Sequence, residues 1–292
     1  MDELAIGIDV GGTAVKVAAV DRAGATRWTG RSPTYARPSA DQLAAAVREA
    51  AAGRVPAGAA LGRCALGVCV PGIMHEDGRT VARSVNIPGL SGCRLDELVV
   101  SALGGRPGQV VATTDAHATA YDLYTVRRLR GRLFLLAIGT GVGAAVLDDG
   151  GAPLRVDDDS PGHFGQVDVS IEGHPVVGPD GGAGSLEGYL SAAALADRYG
   201  PEPSAWVSRI TADDPPLRAL ARAVRIAHAI YRPRHVLLAG GIGVRLGHVV
   251  AQLRANVDRQ LTSIARPGWT LATGDSDFHA AQGAARLAIS PP

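Results

Sequence analysis

The chain has 292 residues and a formal net charge of only +1 at neutral pH. Hydrophobic residues make up 46% of the sequence and charged residues 20%, a composition typical of a globular protein with a substantial core. So small a charge provides no global field that would attract nucleic acid or an acidic membrane surface. No apolar run approaches the roughly 20 residues of a membrane-spanning helix. We therefore expect a protein of two-domain size that binds neither nucleic acid nor membrane.

The cysteines indicate a reducing compartment. Cys64, Cys69 and Cys93 show no metal-ligand spacing, and their odd number argues against a disulfide framework. The N-terminal residues contain no basic stretch followed by an apolar run, so no signal peptide is predicted. We expect a cytoplasmic protein.

The first predicted element is a β-hairpin over Leu4–Asp21, where two alternating apolar runs flank a short turn. The turn consists of Gly11, Gly12 and Thr13. Its glycines leave backbone N–H groups accessible to a phosphate, and Lys16 would add a positive charge. Asp9, at the end of the first run, could hold a hydrated Mg²⁺ ion. The alternative is an ordinary glycine turn that binds nothing.

Strands and helices alternate after this hairpin. A third strand is predicted within Thr26–Tyr35, and a helix follows with Ser39 as its N-cap and Gly53 as its stop. Continuous apolar runs at Cys64–Gly72 and Gly108–Ala116 predict strands that are buried on both faces. Further helices are predicted at 95–104 and 116–129. This part of the chain therefore predicts one α/β domain that ends near Asp115.

The pattern then restarts, which indicates an internal duplication. Arg132–Gly150 again predicts a strand, a glycine turn and a strand. A buried strand at Arg234–Gly243 breaks into a Gly-Gly pair at the start of a helix. The remaining predictions are helices at 186–200 and 215–231, a long helix after 243, a strand near 269–273 and a last helix at 277–288.

Three strand-to-glycine turns result from this organisation. They are Gly11, Gly12 and Thr13; Gly139, Thr140 and Gly141; and Gly240 and Gly241. Each turn places backbone N–H groups at a strand end, where open α/β sheets bind ligands. The arrangement predicts a nucleotide between two domains, with the first two turns on its phosphates and the third facing its adenosine.

The sequence resembles the ROK family of sugar kinases, which share the actin-like ATPase fold with hexokinases and heat-shock ATPases. The resemblance covers nearly the whole chain, and it rests on DVGGTAVK, VPGIMHEDGRTVARSVNIPGL, TTDAHATA, AIGTGVGAAVLDDG, PGHFGQVDVS, GSLEGYLS and LLAGGIG, in the family's order. It implies an α/β, two-domain actin-like ATPase (ribonuclease H-like) fold with a duplicated core. The domains implied are 1–115 plus about 277–292, and 116–276, with the active-site cleft between them.

The resemblance also implies an ATP- and Mg²⁺-dependent kinase with Asp115 as its general base. The segment Thr114-Asp115-Ala116-His117 stands where the family has Asn-Asp-Ala-Asn. Phosphoryl transfer needs positioning, charge neutralisation and a carboxylate that accepts the hydroxyl proton. The alternative is that Asp115 merely caps the helix that follows, and the two roles are compatible. A homodimer is implied by the family alone, and the sequence does not decide whether another nucleotide replaces ATP.

The sequence departs from the family at its zinc site. Zinc-containing members carry three cysteines and one histidine, and the matching positions here are Gly178, Asp180, Ser185 and Gln166. Because one carboxylate cannot make a tetrahedral site, we expect no structural zinc. The glycine-rich loop must then be held by packing and hydrogen bonds.

The expected substrate contacts also differ. The resemblance assigns Asn86, Thr114, Asp115, His163, Gln166 and Glu187 to the substrate. Thr114 replaces the family Asn, His163 the Glu and Gln166 the His, whereas Asp115 and Glu187 are kept. A site built for one hydroxyl pattern rejects another, because buried polar groups are left unpaired. We therefore expect a modified hexose, an amino sugar or a cyclitol rather than glucose, with a primary hydroxyl as acceptor. A C7-cyclitol kinase of natural-product biosynthesis would fit.

Roles without substrate contact or catalysis remain open for single residues and for the whole chain. His163 could be a surface residue, Gln166 could play no part, and Asn86 could serve only its turn. A ROK repressor would carry about 70–80 more residues before the first glycine turn, for a DNA-binding domain, so a regulator of that type is not expected. A non-catalytic sugar- or cyclitol-binding relic is the alternative to the kinase. The retained phosphate turns and Asp115 argue against it.

Overall fold

A computed structural model describes residues 4–56, 58–156, 161–179 and 181–290. The strands are β1 (Leu4–Val10), β2 (Val15–Asp21), β3 (Thr26–Arg31), β4 (Ala65–Val70), β5 (Ile73–Met74), β6 (Val81–Arg83), β7 (Gln109–Thr114), β8 (Leu133–Ile138), β9 (Val142–Leu147), β10 (His235–Ala239) and β11 (Thr270–Thr273). The α-helices are α1 (Ala40–Ala51), α2 (Leu95–Leu103), α3 (Asp115–Val126), α4 (Leu186–Leu190), α5 (Ala192–Tyr199), α6 (Pro203–Trp206), α7 (Pro215–Tyr231), α8 (Gly240–Gly243), α9 (Val250–Asp258) and α10 (His279–Ile289). Short 3₁₀ helices cover Gly58–Arg63, Pro88–Leu90, Phe164–Gln166 and Gly247–Val249.

The described residues form two compact units. The first contains 4–56, 58–129, 155–156 and 278–290, and the second contains 130–154, 161–179 and 181–277. Helix α3, which begins at Asp115, groups with the first unit because it packs against the C-terminal helix α10. Among the described residues, no helix has the length and hydropathy that crossing a bilayer requires.

The first unit is built on a five-stranded sheet in the order β3-β2-β1-β4-β7. Strands β1 and β2 form the predicted antiparallel hairpin, whereas β4 runs parallel to β1 and β7 parallel to β4. The register pairs Asp9 with Cys69 and Val70 with Thr114. Because parallel strands end at the same edge of a sheet, the polar residues after β1 and β7 lie at one edge.

The second unit repeats this topology with a four-stranded sheet in the order β11-β10-β8-β9. Strands β8 and β9 form an antiparallel hairpin, β10 runs parallel to β8, and β11 runs parallel to β10. The order β2-β1-β4-β7 in the first sheet thus has the same strand directions as β9-β8-β10-β11 in the second. The duplicated core that the sequence predicts is confirmed.

Helix α10 lies against the first sheet at very close range, which glycines make possible. A Cβ atom on Gly7 would lie 1.8 Å from the Ala281 carbonyl oxygen, and one on Gly67 would lie 1.9 Å from the Ala284 carbonyl oxygen. Glycine is therefore required on both strands, because any side chain would push the helix off the sheet.

The helix predictions are confirmed in part. Helix α1 begins after Ser39, whose hydroxyl accepts from the Gln42 N–H in a capping box. The helix predicted at 186–200 is wrong as one element, because Ser191 ends α4 and caps α5 in an extended conformation. The long helix predicted after 243 is also wrong, since α8 is followed by a 3₁₀ turn and the nine-residue α9.

Candidate active site

Asp9 occupies the carboxyl end of β1 and is buried. Its Oδ2 lies 3.1 Å from Lys16 Nζ, across the hairpin. On the other side, Cys69 Sγ lies 3.9 Å from Asp9 Oδ1 and 3.5 Å from the Ala280 carbonyl oxygen. Burial and the nearby Asp9 carboxylate raise the pKa of Cys69 well above its ordinary value, so this thiol stays protonated. The arrangement fixes the Asp9 carboxylate between a cation and a neutral thiol.

Asp115 is the first residue of α3, directly after β7. Its Oδ1 accepts a hydrogen bond of 2.8 Å from the Ala116 N–H. Burial, and to a smaller extent the nearby Asp9 carboxylate, raise the pKa of Asp115 to about 6, because both disfavour a negative charge at this position. Asp115 is therefore a stronger base than an ordinary carboxylate and is still ionised at neutral pH.

The N-cap of α3 is Thr114, and Asp115 does not cap the helix. Thr114 Oγ1 accepts from the His117 N–H at 3.3 Å. The alternative reading of Asp115 as the capping residue is thus wrong, because the chain turns into the helix one residue earlier. Thr114 has a structural role of its own, and its hydroxyl keeps a proton to donate.

The turn of the first hairpin is held through its carbonyl groups. The Gly11 N–H donates to the Ala14 carbonyl at 3.2 Å, and the Gly11 and Thr13 carbonyls accept from the hydroxyl and the N–H of Tyr35. No described residue accepts a hydrogen bond from the N–H groups of Gly12, Thr13 or Ala14. These three consecutive donors, with the Lys16 ammonium nearby, fit a phosphate group.

The two glycine turns of the second unit lie side by side. Strands β8 and β10 pair in parallel with Ala137 opposite Ala239, so the turns that follow them meet at one edge. A Cβ atom on Gly139 would lie 4.0 Å from the Gly241 N atom, and one on Gly240 would lie 2.5 Å from the Ile138 carbonyl oxygen. Gly240 also has a φ of 78°. This positive φ and the close approach of the Ile138 carbonyl both require glycine at position 240. Thr140 and Gly241 are exposed, and Gly141 is half-buried.

Glu187, on α4, reaches the strand that follows the second turn. The Val142 N–H donates to Glu187 Oε2 at 2.8 Å, and the side chain is buried. The 3₁₀ helix Phe164–Gln166 lies nearby, since a Cβ on Gly165 would be 3.4 Å from Glu187 Oε2. His163 precedes this helix and is exposed, whereas Gln166 at its end is half-buried. The structure therefore places Glu187 and the His163–Gln166 segment in one region of the second unit.

The positions that match the family's zinc ligands converge around a serine. A Cβ on Gly178 would lie 2.2 Å from Ser185 Oγ, and one on Gly182 would lie 3.0 Å from Gln166 Oε1. The loop is closed by the Gly178 N–H, which donates to the Gly182 carbonyl at 2.8 Å. Ser185 also caps α4. Asp180 lies outside the described residues, and the described residues contain no group of three or more His, Cys, Asp or Glu side chains that could hold a metal ion.

The structure groups the predicted residues by unit. In the first unit Asp9, Lys16 and Asp115 lie within electrostatic reach of one another, with Thr114 adjacent. Asn86 is half-buried just before the 3₁₀ helix Pro88–Leu90, and among the described residues it forms no hydrogen bond with that group. In the second unit the Gly139–Gly141 and Gly240–Gly241 turns adjoin each other, and Glu187 binds the strand after the first of them.

The residues present fit ATP with Mg²⁺. The unpaired N–H groups of the first turn suit phosphate oxygens, and Mg²⁺ takes one or two carboxylates together with phosphates rather than a cage of protein ligands. Asp9 and Asp115 supply carboxylates close enough for the first to perturb the second.

Sequence reasoning missed two residues beside this group. Tyr35 binds the glycine turn twice, and nothing in its sequence context indicates that role. His117 shares a 2.8 Å hydrogen bond with Thr113 Oγ1, while its Nε2 is buried without a hydrogen-bond partner. Burial, together with Arg155, lowers the pKa of His117 to about 4. A neutral imidazole therefore stands where the family has an amide.

Comparison with known proteins identifies the family of this chain. The ROK family model matches residues 5–290. A curated glucokinase of Streptomyces coelicolor is 33% identical over 205 residues, which are 66% of this chain and 57% of that protein. The chain thus matches little more than half the length of this relative.

Two solved structures share the fold over nearly the whole chain. A ROK family glucokinase from Streptomyces griseus, in complex with glucose and AMPPNP, has a TM-score of 0.74 at 22% identity. The match covers 97% of this chain and 98% of that protein. A ROK family transcriptional regulator, a homologue of the E. coli MLC protein, has a TM-score of 0.71 at 15% identity, over 99% of this chain and 79% of its own. Both a kinase and a regulator therefore have this fold, which is the actin-like ATPase fold.

Proposed function

The chain belongs to the ROK family, and from that premise we propose that it is an ATP-dependent kinase of a sugar or a sugar-like cyclitol. One observation carries the proposal. Asp115 stands at the end of a parallel strand beside Asp9 and Lys16, and burial raises its pKa to about 6. A carboxylate of that basicity, in a group that suits a phosphorylated ligand, has the properties of the general base in phosphoryl transfer.

Asp115 would accept the proton of the attacking hydroxyl, most simply a primary one. Its Oδ1 already accepts from the Ala116 N–H, which fixes the carboxylate at the start of α3 and leaves the other oxygen for the substrate. The backbone bond favours the ionised form, while desolvation and Asp9 keep it basic.

The turn at Gly11, Gly12 and Thr13 would bind phosphate through its N–H groups, and Lys16 would add charge. Bound ATP supplies the phosphoryl group, and Mg²⁺ offsets the phosphate charge. Asp9 would hold that ion through water. The turn at Gly139, Thr140 and Gly141 would also bind phosphate, and the turn at Gly240 and Gly241 would face the adenosine, because their bare backbone allows close approach.

The acceptor would be recognised by Asn86, Thr114, His163, Gln166 and Glu187. Glu187 offers a carboxylate that the Val142 N–H already orients. His163 and Gln166 replace a carboxylate and an imidazole of the family pattern, so each has a different balance of donors and acceptors. We therefore propose a modified hexose, an amino sugar or a cyclitol as the acceptor.

Replacement of Asp115 by Asn tests the base. Turnover of a panel of hexoses, amino sugars and cyclitols with ATP is expected to fall by roughly 10³-fold, at the centre of the range for general-base catalysis, with the thermal stability unchanged. Asp41→Asn is the matched control, since Asp41 is an acidic residue in the first turn of α1 in the same unit. Near-normal turnover of the Asp115→Asn variant would refute the assignment.

A non-catalytic sugar- or cyclitol-binding protein is the second candidate, favoured by the changes at Thr114, His163 and Gln166. It predicts that some panel member raises the melting temperature while none is phosphorylated. Phosphorylation of any member at a rate that depends on Asp115 excludes it.

A further inference from the structure

The segment that follows β3 crosses the first glycine turn and is fastened to it. The Ser32 N–H donates to the Val15 carbonyl, and the Val15 N–H donates to Ser32 Oγ, each at 3.0 Å. Three residues later, the Tyr35 N–H donates to the Thr13 carbonyl at 2.9 Å. The chain therefore runs along one side of the turn with a fixed register.

Tyr35 adds a side-chain bond to this contact. Its hydroxyl donates to the Gly11 carbonyl at 2.6 Å, and its half-buried ring packs against the core of the first unit. Burial and the nearby Asp9 carboxylate raise the pKa of Tyr35, so the hydroxyl keeps its proton and remains a donor. One residue thus holds two carbonyl groups of the turn, those of Gly11 and Thr13.

The direction of these carbonyls fixes the direction of two amides. In a trans peptide the C=O of one residue and the N–H of the next lie in one plane and point in opposite directions, and the described residues contain no cis peptide bond. With the Gly11 and Thr13 carbonyls drawn to Tyr35, the N–H groups of Gly12 and Ala14 point to the opposite side of the turn. No described residue accepts a hydrogen bond from either of them.

We propose that Tyr35 is the positioning residue of the phosphate turn. It holds the Gly11 and Thr13 carbonyls so that the Gly12 and Ala14 N–H groups face the nucleotide phosphates, and it never touches the nucleotide itself. The inference rests on the proposed kinase function and adds to it the residue that orients the donors. Preformed donors bind an anion more tightly, because their ordering does not have to accompany binding.

Calorimetric titration of wild type, Tyr35→Phe and Tyr121→Phe tests the inference. Tyr121 is a matched control in the same unit, since its hydroxyl donates to the Ser290 carbonyl at 2.6 Å, away from the turn. The ligands are a Mg²⁺-bound non-hydrolysable ATP analogue and adenosine. We expect Tyr35→Phe to raise the Kd of the analogue about three- to tenfold, the range that one hydrogen bond accounts for. The Kd of adenosine should stay within about twofold of the wild-type value. Tyr121→Phe should change neither.

Steady-state kinetics give a second readout. Tyr35→Phe should raise the KM for ATP by a similar factor and leave both the acceptor KM and kcat within about twofold, because its effect is confined to the phosphate donors. A purely structural defect would impair all three constants together, with both KM values raised and kcat lowered. Thermal unfolding of the variants reports whether the fold is kept.

The outcomes separate this inference from the proposed function. The positioning role is refuted, while kinase activity stands, if Tyr35→Phe binds the analogue as tightly as wild type does. It is also refuted if the variant loses as much affinity for adenosine as for the analogue. If wild type binds the analogue but phosphorylates nothing, the kinase function fails and the comparison of binding constants still decides the role of Tyr35. If wild type binds no nucleotide, both are overturned.

Discussion

The carboxylate of Glu187 accepts a hydrogen bond of 2.8 Å from the backbone N–H of Val142. Val142 is the first residue of β9, directly after the turn at Gly139, Thr140 and Gly141. One residue of the proposed acceptor site is therefore tied to the strand that leaves a proposed phosphate turn. The buried amide needs this partner, because an unsatisfied buried donor costs about 1–3 kcal/mol.

Two substitutions separate the binding role of Glu187 from its structural role. Glu187→Gln keeps an oxygen that can accept from Val142, so the free energy of unfolding should change by less than about 1 kcal/mol. The KM of the acceptor should rise at least tenfold, because the charged acceptor of hydroxyl hydrogens is lost. Glu187→Ala should raise the acceptor KM similarly and also destabilise the fold by about 1–3 kcal/mol. Chemical denaturation and acceptor kinetics measure the two effects, and an unchanged acceptor KM in Glu187→Gln would contradict the binding role.

The acid limb of the pH profile should report Asp115. Its pKa of about 6 means that the base is ionised above pH 6 and protonated below it. The value of kcat/KM, which reports the free enzyme, should be level above about pH 7 and fall toward tenfold per pH unit below about pH 5.5. A profile that stays level down to pH 5 would mean that no group of this pKa acts as the base.

Two buried histidines predict a loss of stability in mild acid. Burial lowers the pKa of His228 to about 4, and burial with Arg155 lowers that of His117 to about 4. The unfolded chain binds these protons near pH 6.5, so stability is complete above that pH and is lost as the pH falls toward 4. As the pH falls over this range, each histidine should lower the free energy of unfolding by up to about 3 kcal/mol.

Urea denaturation between pH 7.5 and 5 measures this effect. His228→Phe should flatten the dependence, since both ring nitrogens of His228 are buried without partners and an apolar ring meets Trp269 equally well. His117→Asn provides a second test at the other site. His248→Gln changes an exposed imidazole and should keep the wild-type slope. Equal slopes in all variants would show that other groups govern acid unfolding.

Elemental analysis checks the zinc prediction. Ser185 Oγ fills the space that a side chain at position 178 would need, and Gln166 replaces the fourth ligand. Protein purified without chelator should contain less than about 0.1 zinc per chain, and a chelator should leave its melting temperature unchanged. About one zinc per chain would overturn the prediction.

Gly67→Ala tests the close packing of α10. The new methyl group would lie 1.9 Å from the Ala284 carbonyl oxygen, so helix and sheet must separate. We expect destabilisation of about 2–3 kcal/mol in chemical denaturation. Gly62→Ala is the control, because nothing lies within 4 Å of a Cβ there and its φ is ordinary. Similar stability of the two variants would contradict the contact.

Local sequence signals predict the parts of this fold that depend on local physics. The hairpin around Gly11 and Gly12, the Ser39 cap and the repeated strand-turn-strand unit all follow from residue spacing and turn chemistry. Failures occur where neighbours in space decide. Ser191 ends one helix and caps the next, and Thr114 takes the cap that Asp115 could have taken, although both alternatives agree with local propensity.

Contacts between distant residues could not be predicted at all. Tyr35 reaches a carbonyl 24 residues away, Glu187 an amide 45 residues away, and Cys69 lies beside Asp9 only because β1 and β4 pair in register. Such contacts depend on the folded backbone, and a single sequence carries no pattern for them. The strands and glycine turns of the candidate site were therefore predictable from the sequence, whereas the residues that support them were not.

The position of α10 also orders events during synthesis. The first unit needs residues 279–289 over Gly7 and Gly67, yet the chain between them includes all of the second unit. On the ribosome, the residues of the second unit emerge before α10 does. The second unit can therefore complete its core before the first unit does. Until α10 emerges, one face of the first sheet stays uncovered, and a transcript that ends before codon 279 should yield a chain prone to aggregation.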